Sequence, residues 1–335
     1  MKIQLLVAAE ADYSEYLSNT LSAKYADTFA VRSCSSKENL RDVLAAKKYD
    51  VLLVEPEWIP YVNKKNVRMV LALISERSTS TDISHDVYKT KKYQRISTLV
   101  SDALEYYSSV APGAGDFGKS KGQIIAVWSP TGGVGKTTVA LAYATRSVSL
   151  GSSVTYLGLE HFSSSGSYFS GQGKSVSALF EKLASNAELL VKGIRQHDSG
   201  SGIDYFNPPI NYDDINELTR DDVTALVTIC AHTCDSVVVD LPSICDGRTQ
   251  AVFDIANMVI IVTDGSTTSA AKLEIFMSQH GVYEDIRHKT RFAMNKGAKT
   301  NDARFEASIN LPFVKSDSPV SVYKALSGNS FDISL

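Results

Sequence analysis

Residues 123–138, QIIAVWSPTGGVGKTT, constrain this chain more than any other stretch. An apolar run ends at Ser129, a glycine-rich turn follows, and a helix-forming run starts at Lys136. Gly132, Gly133 and Gly135 keep Cβ atoms out of a loop whose backbone N–H groups can then converge on an anion. A helix opening at Lys136 points its positive dipole end at the same place. Lys136 sets an ammonium where β- and γ-phosphates would lie, Thr137 offers a hydroxyl to magnesium, and Thr138 can donate near an α-phosphate. Thr131 and Val134 fill out the loop. The usual pattern for such a loop, GxxxxGK[ST], starts with glycine, whereas Pro130 stands there in this chain. Every group that would touch phosphate lies downstream of that position. The spacing points to a nucleoside triphosphate held with Mg2+ on a strand–loop–helix unit.

A chain of 335 residues is long for one hydrophobic core, so two domains are expected. Residues 109–122, SVAPGAGDFGKSKG, are rich in small residues and poor in large apolar ones, as a linker is. The boundaries that follow are a first domain over 1–108, a linker over 109–121 and a second domain over 122–335. The first half alternates strand and helix: IQLLVAA, then YSEYLSNTLSAKYA; FAVRSCS, then SKENLRDVLAAKK, with a Ser cap and a nearby Glu; then YDVLLVEPE, VRMVLALIS and the closing helix RISTLVSDALEYY. The second half continues with SSVTYLGLE, a long irregular stretch to about residue 216, the helix DDVTALVTICAHT, the strands DSVVVDLP and MVIIVTD, the helix AKLEIFMSQHG and the strand TRFAMNK. Such alternation predicts two three-layer α/β/α domains with mostly parallel sheets, the first flavodoxin-like and the second of the P-loop NTPase kind.

Composition narrows the function classes. The net charge of −3 argues against a general nucleic-acid binder. The four cysteines form no CxxC pair and lie away from the histidines, so no zinc site is expected. Scattered cysteines fit a reducing cytoplasm. The N-terminal apolar run is too short for a signal peptide, nothing reaches the length of a membrane span, and no basic amphipathic helix ends the chain.

GGVGKTT between this strand and helix resembles the ParA/MinD family of ATPases, which carry the loop KGGxGK[ST]. The resemblance implies ATP with Mg2+ and a homodimer with nucleotide between the subunits. It also implies roles for later residues: Asp240, ending SVVVD, holds magnesium through water; Asn295, in RFAMNK, bonds the adenine edge; Pro312, in INLPF, cradles the base. Two positions depart from the family. Thr131 stands where the family has a lysine that crosses the dimer to the partner's nucleotide. The second strand of the family ends in D-x-D, and Gly158 and Glu160 take those places. Glu160 can still polarise water, but its longer side chain displaces the carboxylate, and misplacement of about 1 Å can cost ~10²-fold in rate. Binding with slow or absent hydrolysis is expected, with Lys136, Glu160 and Asp240 as the catalytic set.

Residues 1–108 resemble a receiver domain stripped of its chemistry. Ala8 and Ala9 replace the acidic pair, Glu55 replaces the phospho-acceptor Asp, and Ser75 and Lys89 are the matching hydroxyl and lysine. A degenerate receiver ahead of a ParA/MinD-like domain resembles the TadZ/CpaE group of tight-adherence (Flp, type IVc) pilus assembly proteins. That resemblance implies a cytoplasmic protein concentrated at a cell pole, with pilus assembly or polar proteins as partners. Other readings of the same fold are a partition or cell-division ATPase and a scaffold that keeps ATP without turning it over. An iron–sulfur reductase would need a partner for Cys245, and none is evident.

Overall fold

The computed structural model describes residues 2–26, 28–75, 86–110, 122–171, 173–180, 183, 187–299, 302–305 and 308–328. The chain divides into two units, Met1–Ala114 and Gly115–Leu335. Most of the segment read as a linker, residues 111–121, lies outside the described residues, as do residues 76–85 and the C-terminal residues 329–335.

In the first unit β1 (Ile3–Ala8), β2 (Phe29–Cys34), β3 (Tyr49–Val54), β4 (Val67–Ile74) and β5 (Tyr88–Lys91) form a sheet in the order β2-β1-β3-β4-β5. All its pairings are parallel. Burial runs almost unbroken along β1, β3 and β4, as covered faces on both sides require. Helix α1 (Ala11–Lys24) follows β1, α2 (Lys37–Ala46) follows β2, and α3 (Ile96–Val110) closes the unit. The cap of α2 is Ser36, whose side chain accepts from the Asn39 N–H, so Glu38 sits inside the first turn rather than opposite the cap. Strict alternation breaks after β3. Pro56 and Pro60 fall in the next segment, which winds as a 3₁₀ turn over Pro56–Tyr61. Proline lacks the donor that an α-helix interior needs.

The second unit holds β6 (Gln123–Trp128), α4 (Lys136–Ser149), β7 (Val154–Gly158), α5 (Ser177–Phe180), α6 (Ala187–Ile194), β8 (Gln196–His197), β9 (Asp204–Tyr205), α7 (Asp213–Asn216) and α8 (Arg220–Ala231). It continues with β10 (Ser236–Asp240), α9 (Gly247–Ile255), β11 (Met258–Thr263), α10 (Thr267–Met277), α11 (Tyr283–Arg287), β12 (Thr290–Met294), β13 (Ile309–Asn310) and α12 (Pro319–Leu326). The sheet runs β13-β12-β11-β6-β10-β7-β9-β8, parallel except where β8 meets β9. This is the α/β class with a mostly parallel sheet that the sequence predicts. The period-2 pattern of β6 divides the core. Ile125 and Val127 pack on the side of α4, while Ile124, Ala126 and Trp128 pack under α8, α9 and α10. Trp128 meets the Phe253 ring edge-on at 5.5 Å and Phe276 at 4.6 Å. This packing fixes the C-terminal ends of β6, β7 and β10 side by side, where crevices of open parallel sheets form. Among the described residues no helix is long and apolar enough to cross a membrane.

Candidate nucleotide-binding site

The loop from Ser129 to Gly135 joins β6 to α4. Gly133 and Gly135 have φ of 75° and 94°, the left-handed region that glycine enters without penalty. Gly135 caps α4, and a Cβ there would stand 2.4 Å from Asn295 Nδ2. Its glycine is thus required twice, by backbone and by space. Gly132 and Gly133 are exposed, and a Cβ at either would meet open space. The backbone of the loop tip is accessible to an anion from outside.

Beneath the loop the side chains predicted from sequence converge. Thr137 Oγ1 donates to Asp240 Oδ2 at 2.6 Å. Lys136, buried along its stem, donates to Ser243 Oγ at 3.0 Å, and its Nζ lies 3.4 Å from Glu160 Oε1. Thr138 Oγ1 lies 3.5 Å from the Tyr168 hydroxyl. Val134 is buried in the apolar cluster under α4. Thr131 is buried too, with its N–H on Ser129 Oγ and its own hydroxyl without a partner. No ammonium stands at that position.

Asp240 is 1% exposed, yet its Oδ1 has no partner. Burial pushes its carboxyl up to about 6 from the ordinary 3.8. The Glu160 carboxylate adds to this, against the hydroxyl donors Thr137 and Tyr156 and the Lys136 ammonium. A buried carboxylate with an unsatisfied oxygen beside a threonine hydroxyl fits a hydrated divalent cation. The hydroxyl that donates to Asp240 keeps its lone pairs for the ion.

Asn295 and Pro312 are brought together by the pairing of β12 with β13 and the Gly297 N–H to Leu311 carbonyl bond. Asn295 is buried, and its Nδ2 donates to the Val134 carbonyl at 2.8 Å. In this structure the amide props the glycine loop, while Pro312 is exposed. Two residues that sequence reasoning passed over also belong here. Tyr156 donates its hydroxyl to Asp240 Oδ2 at 2.8 Å. Lys296 is the positive-φ residue among the described non-glycines, at 56°, and its Nζ donates to the Gly133 carbonyl at 2.8 Å. No sequence signal marks Lys296, whose positive φ shows only in the fold, and Tyr156 reads in the sequence as an ordinary strand residue.

In the first unit a separate polar cluster stands at the C-terminal ends of β1 and β3. Lys92 is buried and bridges Glu55 at 2.6 Å and Glu10 at 2.8 Å, with the Tyr13 and Tyr93 rings at 4.8 and 5.2 Å. The lysine facing Glu55 is therefore Lys92; Lys89, expected from the sequence, lies exposed in β5. Burial works against the Lys92 ammonium, but its bonds to the two carboxylates outweigh this and hold its pKa above the ordinary value.

No protein-family profile and no curated protein matches the chain. Solved structures do. A ParA-family ATPase from Chlorobium tepidum TLS superposes with a TM-score of 0.51 at 18% identity, covering 63% of this chain and 94% of its own. A plasmid partition protein from Borrelia burgdorferi gives 0.47 at 15%, over 62% and 96%. The MinD cell division protein of Aquifex aeolicus gives 0.46 at 16%, over 60% and 86%. The first of these likenesses shows that the chain shares the mixed α/β fold of a ParA-family ATPase.

Proposed function

We propose that the chain binds ATP with Mg2+ at the loop between β6 and α4, hydrolyses it slowly or not at all, and acts as a ParA/MinD-type protein of a tight-adherence pilus system, marking a cell pole. The observation that carries the nucleotide reading is the 2.6 Å Thr137–Asp240 pair with Asp240 Oδ1 buried and unsatisfied below an open glycine loop. Loop N–H groups, the α4 N-terminus and Lys136 would take the phosphates, and Thr137 and Asp240 would hold the metal. Magnesium would supply neutralisation of the phosphate charge. Asn295 and Pro312 would flank the adenine, with Asn295 also bracing the loop.

Slow turnover is supported by two features. Thr131 offers no cation to a neighbouring subunit, and Glu160, which takes the place of the second acid of the D-x-D pattern, leans on Lys136 at 3.4 Å. Removing a cation from a phosphoryl-transfer transition state can cost ~10³-fold or more. The scaffold reading, in which bound ATP is kept, draws on the same two residues.

The pilus reading rests on the pairing of units. Residues 1–108 would be a receiver-like domain, joined through 109–121 to an ATPase domain over 122–335. The parallel order β2-β1-β3-β4-β5 is the flavodoxin-like order that receivers also use. With Lys92 locked between Glu10 and Glu55, this unit serves docking rather than phosphotransfer. A homodimer is supported by exposed Phe162, stacked on Tyr212, close in sequence to Glu160. A turnover assay at saturating ATP and magnesium tests the catalytic part, and robust multiple turnover per second would refute slow hydrolysis. A fluorescent fusion in the native host tests the cellular part. A polar focus lost together with pili supports the reading, whereas a nucleoid-wide signal favours partition.

A further inference from the structure

Asp240 receives two hydroxyl donors on a single oxygen. Thr137 reaches Oδ2 from the start of α4, and Tyr156 reaches the same atom at 2.8 Å from the middle of β7. The Tyr156 ring is 2% exposed and lies among Val127, Val238 and Phe169, an apolar setting that a Phe ring would fill without the hydroxyl. Its hydroxyl has a specific acceptor there, one that is itself buried. The approach depends on Gly158, which pairs with Asp240 across the sheet and lies two positions beyond Tyr156 on the same face. A Cβ at 158 would stand 3.3 Å from the Tyr156 hydroxyl oxygen, closer than side-chain carbons normally come without a shift. With Oδ2 occupied twice, Oδ1 is the oxygen left buried without a partner.

We infer that Tyr156 is a positioning residue for the metal: its hydroxyl fixes the rotation of the Asp240 carboxylate so that Oδ1 faces the cation's water, and Gly158 is the gap that lets the phenol reach it. The inference rests on the nucleotide reading above and deepens it. The carboxylate would otherwise swing about its broad, two-fold terminal torsion. Two donors on one oxygen hold it in one setting before any cation arrives, which spares the ordering cost at binding. Gly158 and Tyr156 thus act as a pair. Position 158 gives up a side chain, and position 156 supplies a donor in that space.

The test compares the full chain with Tyr156→Phe, Gly158→Ala and the double variant. Tyr205→Phe serves as a control, since it removes another buried strand hydroxyl whose partner is the Gly171 N–H and not Asp240. Affinity for a fluorescent ATP analogue is measured in magnesium and in EDTA, and the ratio of the two is the readout. Loss of one such hydrogen bond should cut the ratio about fivefold in Tyr156→Phe. Gly158→Ala, which asks the phenol to give only by a few tenths of an ångström, should cut it less, the double variant should fall no further than Tyr156→Phe, and Tyr205→Phe should keep the wild-type ratio. A wild-type ratio retained by Tyr156→Phe overturns the inference. So does an equal fall in Tyr205→Phe, which would mean general loosening of the core. Wild-type protein that binds no analogue, or binds it without help from magnesium, overturns the nucleotide reading itself before any variant is compared.

Discussion

Replacing Asp240 by Asn should stabilise the ligand-free protein while spoiling its metal dependence. Burial and the Glu160 carboxylate hold Asp240 at about 6 against an unfolded value near 3.8. The folded state therefore binds the proton more tightly than the unfolded state. Stability falls as pH rises from about 4 to about 6 and stays reduced above that, because the native protein then carries a buried carboxylate that water would solvate better. A shift of about two pKa units at ~1.4 kcal/mol each corresponds to about 3 kcal/mol. Asp240→Asn keeps an oxygen for the Thr137 and Tyr156 donors and removes the charge, at some loss to Lys136, so about 2 kcal/mol should be recovered. For a unit of this size that is a rise of roughly 4–8 °C in Tm. Thermal melts in EDTA at pH 5 and pH 7.5 provide the assay. The variant should gain at pH 7.5 and gain little at pH 5, flattening the pH profile. An Asp240→Asn protein that is less stable than wild type at pH 7.5 would refute the picture of a buried carboxylate only partly offset by its donors. The same substitution should abolish any tightening of nucleotide binding by magnesium, a trade of function for stability common at sites built around strain.

Three further outcomes follow from named contacts. Gly135→Ala forces a side chain into φ of 94° and onto Asn295, so it should cost about 2–3 kcal/mol from left-handed strain and the lost Asn295–Val134 bond, read by urea denaturation; unchanged stability would count against the assigned loop geometry. Lys296→Gly should be more stable than Lys296→Ala by about 1 kcal/mol, since both lose the ammonium on Gly133 but only glycine relieves the positive φ; equal melts would contradict the strain. Lys92→Met should cost about 2–4 kcal/mol by leaving the largely buried Glu55 carboxylate unpaired, while half-exposed Glu10 contributes little. Adding Glu55→Gln to Lys92→Met should restore part of that loss.

The strand–glycine loop–helix unit was legible because its signal is local. Glycines, Lys136 and Thr137 stand within one stretch whose strand and helix are also contiguous, and Asp240 ends an apolar run that could be little else than a buried strand. The pair Tyr156–Asp240 was not legible, because its partners are 84 positions apart and a tyrosine in a strand is ordinary on propensity alone. The β8–β9 ribbon and β13 have two residues each, too short for a period of two to register. In the first unit the reading placed no helix between YDVLLVEPE and VRMVLALIS, and the 3₁₀ turn that carries Pro56 and Pro60 stands there. Lys92 was missed in favour of Lys89. A lysine just past a strand end looks solvent-bound, and only the fold reveals that it turns inward between two carboxylates.

The most direct test is calorimetric titration of the full chain with ATP and magnesium, alongside Lys136→Ala. One ATP per chain with micromolar or tighter affinity, weakened about tenfold or more in the variant by loss of a charge-assisted contact, is the expected result. Absence of binding at millimolar ATP, or binding that Lys136→Ala leaves untouched, would contradict the assignment of this loop as the nucleotide site.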